Sequence, residues 1–148
     1  MLTRDFTVAT FVVHHQQVLL LWHRKLQMWL PPGGHIDANE LPDEAAVREV
    51  SEESGVSCQL VGERPLPVEY PRQLVRPAGI QLETITAFPA HEHIDLIYFA
   101  RLVPGTDPTP RPNEESEQIG WFTLEQMHSL QVAEDVLRWA AMAIDAVQ

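Results

Sequence analysis

Near the amino terminus the apolar residues fall in short dense runs, Phe6 to Val13 (FTVATFVV) and Val18 to Trp22 (VLLLW), separated by the polar His14-His15-Gln16-Gln17. Runs this short, rich in β-branched and large side chains, predict two strands joined as a hairpin. Ser57 to Pro67 predicts another strand, Ile80 to Thr86 a short one within a proline-broken stretch, and Ile94 to Leu102 (IDLIYFARL) a strong one. Trp121 and Phe122 close a further short strand, after which Thr123 is placed to cap a helical turn. Helical signals dominate elsewhere. Pro42 to Ser54 contains no glycine; Pro42 suits a first helical position, Asp43 and Glu44 favour the positive end of the dipole, and Gly55 supplies a stop. A last helix runs from about Val132, with Val136, Leu137, Ala140, Ile144 and Val147 on one side. The order β-β-α-β-β-β-α predicts an α/β fold, a mixed sheet with helices on both faces.

Composition narrows the class. With 148 residues, 45% apolar and 21% charged, the chain is expected to form one globular domain over residues 1–148. There are no internal repeats, and the loop Pro104 to Pro112 is too short to link domains. The one cysteine, Cys58, excludes an intramolecular disulfide and a multi-cysteine zinc site and fits a reducing compartment. No apolar run approaches the ~18 residues of a spanning helix, and no signal-peptide pattern is present, so a cytoplasmic location is expected. The net charge of −11 argues against nucleic acid polymers and anionic membranes as partners. A phosphate-bearing small molecule stays compatible, provided that a divalent cation reverses the local field.

The candidate chemistry is concentrated in Gly34 to Val56. Gly34, Glu40, Arg48, Glu49, Glu52, Glu53 and Gly55 occur with the spacing G-x5-E-x7-R-E-U-x-E-E-x-G-U, where U is aliphatic and is filled by Val50 and Val56. On a helix advancing about 100° per residue, Glu49, Glu52 and Glu53 share an arc of roughly 100°, opposite Val47 and Val50. Like-charge pairs at these offsets cost a few tenths of a kcal/mol, a cost that a divalent metal removes. Carboxylate oxygens suit Mg²⁺ or Mn²⁺. Arg48 stands four residues before Glu52 and is placed to orient that carboxylate. Before the helix, Trp29-Leu30-Pro31-Pro32-Gly33-Gly34 forms a stiff turn followed by a permissive one, where backbone can approach a ligand closely.

This spacing is the Nudix box, and the chain resembles the Nudix hydrolases, strictly over the box and loosely over the rest. The resemblance implies an α/β/α sandwich with a mixed sheet, and cleavage of a pyrophosphate linkage in a nucleoside diphosphate derivative. The substrate would be a nucleotide-sugar, ADP-ribose-type molecule or nucleoside triphosphate. By position, Glu49, Glu52 and Glu53 are the implied metal ligands, joined by the backbone carbonyl of Gly33. The general base is implied to be Glu52 or an acidic residue of a later loop, among Glu114, Glu115 and Glu117, with Glu115 taken as the representative. Relatives are often dimers, so a homodimer is left open. Two positions depart from the pattern: Leu41 is a poor cap, and Asp37-Ala38-Asn39 relies on Asn39 for a left-handed conformation that glycine usually supplies. Two rival functions fit the same residues, a noncatalytic Nudix-like binding module and a metal-dependent phosphatase acting on a non-nucleotide diphosphate.

Substrate contacts are sought outside the box. Arg64, Arg72 and Arg76 could meet phosphates, and Tyr70, Trp22 or Phe88 could stack on a base, against the ordinary reading of surface arginines and packed aromatics. His91, His93 and Asp95 would form a polar row near substrate if the strand at Ile94 begins that early. A strand end meeting solvent is the ordinary reading of this row, and a separate zinc site the less favoured one, since spacing alone supplies few ligands.

Overall fold

His15 and Gln16 adopt φ values of 50° and 63°, so a two-residue turn joins strand β1 (Arg4–His14) to β2 (Gln17–His23), with Val13 opposite Val18. Turns of this hand match the twist of the flanking strands, and the predicted hairpin is present. This computed structural model describes residues 2–147, so the expected domain span reaches one residue beyond it at each end. The chain continues through β3 (Met28–Leu30), β4 (Gly33–His35), α1 (Pro42–Ser54), β5 (Cys58–Val61), β6 (Gly79–Ile85), β7 (His91–Leu102) and β8 (Ser116–Phe122) to α2 (Leu124–Leu130) and α3 (Glu134–Ala146).

The parallel pair β1 and β7 forms the spine of a mixed sheet, in register from Arg4 opposite Glu92 to Val13 opposite Arg101. Both strands change partner along their length. The amino-terminal half of β1 pairs with β4 and its end with β2, whereas β7 pairs first with β6 and then with β5. Strand alternation then sends side chains to two cores. Ala9, Phe11 and Val13 meet Ile97, Phe99 and the α3 residues Val136, Ala140 and Ile144. On the opposite face Val8 packs with Ala45 and Ala46 of α1, and Val12 with Val50. Helices therefore cover both faces, as the α/β reading expects. Among the described residues no helix is long and apolar enough to cross a membrane.

Several boundaries differ from expectation. The strand expected from Ser57 to Pro67 stops at Val61, before Pro65 and Pro67, which cannot donate to a ladder. The helix expected from Val132 begins at Glu134, and the turn after Thr123 extends to a helix closed by a Thr123–Gln126 capping box. β3 and β4 lie where the sequence predicts a turn; at three residues each they are held by pairing to β2 and β1 rather than by their own pattern.

Candidate active site

Helix α1 starts and stops where its residues dictate. Leu41 is extended (φ −76°, ψ 143°) and gives no side-chain cap, Pro42 occupies the first turn, and Gly55 terminates the helix at φ 75°. Asn39 takes φ 67°, the left-handed conformation expected of it. Burial of Ala45, Ala46 and Val50 against the sheet leaves Arg48, Glu49, Glu52 and Glu53 along the flank that meets β4.

Arg48 organises this flank. Its Nε and Nη2 donate to the two carboxylate oxygens of Glu40 at 2.6 and 2.9 Å, a bidentate geometry suited to the planar guanidinium. Nη1 donates to Glu49 at 2.9 Å and to Glu52 at 3.0 Å, and Nη2 also reaches the carbonyl of His35 at 3.1 Å. The expected contact with Glu52 exists, but Glu40 is the closer partner, a role that sequence reasoning missed although its box position marked it. The Arg48 hydrogen bonds hold the Glu40 carboxyl below its usual range, and Glu40 in turn raises the guanidinium.

Glu53 is 3% exposed and accepts a 2.7 Å hydrogen bond from the Gly33 amide. Burial, reinforced by Glu49, Glu115 and Glu52, pushes its carboxyl up to about 8. Glu49 is raised chiefly by burial, with Arg48 opposing. The glycines are explained by close approach. A Cβ on Gly33 would lie 2.2 Å from the Val8 carbonyl oxygen, and one on Gly34 2.7 Å from Glu49 Oε1.

These carboxylates open into a cleft of about 710 Å³ that runs from α1 across β1, β7 and β6 to α3. Glu114 and Glu115 line its rim; Glu117, on β8, lies outside it and faces Arg24 at 3.9 Å. β7 does extend back to His91, and His91, His93 and Asp95 line the cleft beside Gln81 and Glu83 of β6. Asp95 accepts from Thr7 Oγ1 at 2.8 Å, and burial pushes its carboxyl up to about 6. Phe88 lines the cleft, whereas Trp22 packs against Trp29.

Arg64, Arg72 and Tyr70 do not line this cleft. The segment that carries them is pinned over the first turn of α1, where the Val75 amide donates to Asp43 at 3.3 Å, and Arg76 is engaged by Glu63 at 3.0 Å. Tyr70 is 88% exposed. Two cationic residues that sequence reasoning passed over, Arg24 and Lys25, lie at the cleft instead. Lys25 is the one lysine in the sequence, and its place just before the box was the available signal.

The donor set fits a hard divalent cation. Glu49, Glu52 and Glu53 offer carboxylate oxygens on one flank, and two of them are raised by burial beside like charges, a cost that a cation at this point removes. Gly33 reaches Glu53 through its backbone amide.

The NUDIX domain family matches residues 1–141. A solved hydrolase of the NUDIX family from Clostridium perfringens is similar over 99% of this chain and 100% of its own, with 32% identity and a TM-score of 0.82. A Bacillus subtilis protein provisionally named 8-oxo-dGTP diphosphatase is 40% identical over 58 residues, 37% of this chain and 39% of that protein. An RNA pyrophosphohydrolase of Erythrobacter litoralis is 44% identical over 50 residues, 32% of this chain and 30% of that protein. The chain thus matches less than half the length of either relative. With the box filled, its carboxylates gathered on one helix flank and the family matched over nearly the whole length, this chain belongs to the NUDIX family.

Proposed function

We propose that this chain is a Mg²⁺- or Mn²⁺-dependent hydrolase that cleaves the pyrophosphate linkage of a nucleoside diphosphate derivative. The observation that carries the reading is the Arg48 clamp, which sets Glu49 and Glu52 beside the buried Glu53 at the head of a deep cleft. Glu49, Glu52 and Glu53, with Gly33, would hold the cation. When bound, the cation supplies Lewis acidity and neutralises charge on phosphoryl oxygens. Arg48 fixes the carboxylates before substrate arrives, so little reorganisation is needed during reaction. Glu52, the most open of the three, with its side chain 57% exposed, accepts the proton of the attacking water. Glu115 faces the box carboxylates across the cleft and is the second candidate for that role.

Arg24 and Lys25 are assigned to the phosphate chain, in place of Arg64 and Arg72. The far wall, with Gln81, Glu83, Asp95 and Asp135, is rich in acceptors and favours a ring bearing N–H donors. The names of the matched relatives, an 8-oxo-dGTP diphosphatase and an RNA pyrophosphohydrolase, support a nucleotide substrate. A panel of nucleoside triphosphates, nucleotide-sugars and ADP-ribose, incubated with purified protein and Mg²⁺ or Mn²⁺, tests the reading. At least one should be cleaved far faster than by the Glu52→Gln, Glu53→Gln double variant. Equal rates across the panel overturn the hydrolase, and binding without turnover points to the noncatalytic module.

A further inference from the structure

The histidine row on β7 meets two ligand-bearing side chains that are remote in sequence. Parallel pairing sets Asp5 of β1 opposite His93, and antiparallel pairing sets His35 of β4 opposite Thr7 on the other side of β1. One carboxylate oxygen of Asp5 and one ring nitrogen each of His91 and His93 lie within 4.8 Å of one another. His35 adjoins them, with Nε2 3.4 Å from Asp5 Oδ2 and its ring 5.2 Å from that of His93, edge to face.

The hydrogen bonding favours ligation. His91 Nδ1 lies 2.6 Å from the Pro89 carbonyl oxygen. A carbonyl only accepts, so Nδ1 carries the proton and Nε2 presents its lone pair. Metal-binding histidines are oriented in this way, by a carbonyl or carboxylate on the other ring nitrogen. That Nε2 is 3.0 Å from Nε2 of His93. Two imidazole nitrogens bound to one tetrahedral ion at about 2.0–2.1 Å stand roughly 3.3 Å apart. A separation change of a few tenths of an ångström would therefore fit this nitrogen pair to the ion, with the Asp5 carboxylate, within 4.8 Å of them, closing by up to roughly 1.5 Å to join it. Imidazole nitrogens with one carboxylate suit Zn²⁺, unlike the all-oxygen box.

We propose that Asp5, His35, His91 and His93 bind one divalent transition ion of the Zn²⁺ type on the cleft wall, separate from the carboxylates of α1. The ion would tie β4 to β1 and β7, and so steady the strand that carries Gly33 and Gly34. This site does not rest on the proposed hydrolase activity.

The test uses full-length, tag-free protein stripped of metal. Zn²⁺ affinity is measured by competition with a chromophoric chelator for wild type, for Glu49→Gln, Glu53→Gln, and for His91→Gln, His93→Gln. Circular dichroism confirms that each folds. Wild type and the box variant should each bind one tight equivalent. The histidine variant should bind at least about 100-fold more weakly, the upper end of what losing even an outer partner of a ligand costs. Co²⁺ in place of Zn²⁺ should give the visible bands of a tetrahedral site in the first two proteins and lose them in the third. No tight Zn²⁺ equivalent in wild type, equal affinity in the histidine variant, or loss of binding in the box variant overturns the proposal.

Discussion

The pair Arg48–Glu40 offers the sharpest test of how the site is built. Two charge-assisted hydrogen bonds, at 2.6 and 2.9 Å, join side chains that are only 26% and 15% exposed. Fully exposed ion pairs give about 0.2–1 kcal/mol, whereas hydrogen bonds to charged groups give roughly 1.5–3 kcal/mol. Partial exposure discounts the second figure, and a coupling energy of about 2 kcal/mol is expected for the pair. Arg48→Ala also strips Glu49 and Glu52 of their shared donor, so its total loss should reach about 2–4 kcal/mol, a sizeable share of the 5–15 kcal/mol typical of a domain. The assay is urea unfolding of wild type, Arg48→Ala, Glu40→Ala and the double variant, with chelator present so that metal cannot mask the lost charge. The double variant should lose less than the two single losses combined. A coupling energy under about 0.5 kcal/mol would show the bidentate pair to be energetically idle and refute the clamp.

Other consequences can be checked alongside. Gly33→Ala forces a Cβ onto backbone at Val8 and should cost both stability and Mn²⁺ affinity, whereas Gly34→Ala meets only the end of the Glu49 side chain and should cost mainly Mn²⁺ affinity; equal thermal midpoints for the two would contradict this. Burial raises Asp95 from an ordinary 3.8 to about 6, so its protonation contributes stability that is fully present below about pH 4 and lost as pH rises through about 6. Asp95→Asn, which keeps the acceptor for Thr7, should therefore gain up to about 3 kcal/mol over wild type at pH 8 and little near pH 4; a pH-independent difference in urea unfolding would rule this out. Leu41→Ser, at a position already in cap geometry, should add about 0.5–1 kcal/mol, and Thr123→Ala should remove about 1 kcal/mol by breaking the α2 capping box. Opposite signs in thermal melts are the expected result.

Legibility followed the range of the interactions. α1 was readable to the residue because Pro42 and Gly55 act through local backbone preference, and the apolar run Phe6 to Val13 announced a strand. β3 and β4 were not, since three residues carry no period and these two exist only through pairing to β2 and β1. The box carboxylates and their arginine were found from spacing, yet the preference of Arg48 for Glu40 depends on the turn of chain between them. That Arg64, Arg72 and Tyr70 lie off the cleft was not legible either, because one nonlocal bond, Val75 to Asp43, sets the path of their segment.

The family signature, the acidic flank of α1 and the strands with strong apolar runs are all legible in the residues alone, because these depend on spacing within a single element. What faces that flank is set by contacts between distant elements. Parallel pairing of β1 with β7, across 88 positions of sequence, sets Asp5 beside His93 and Thr7 beside Asp95. It also placed Arg24, Lys25 and the β6 acceptors around the cleft. Sheet register is a property of two strands and the cores on both their faces, and no local pattern encodes which distant residues it will align.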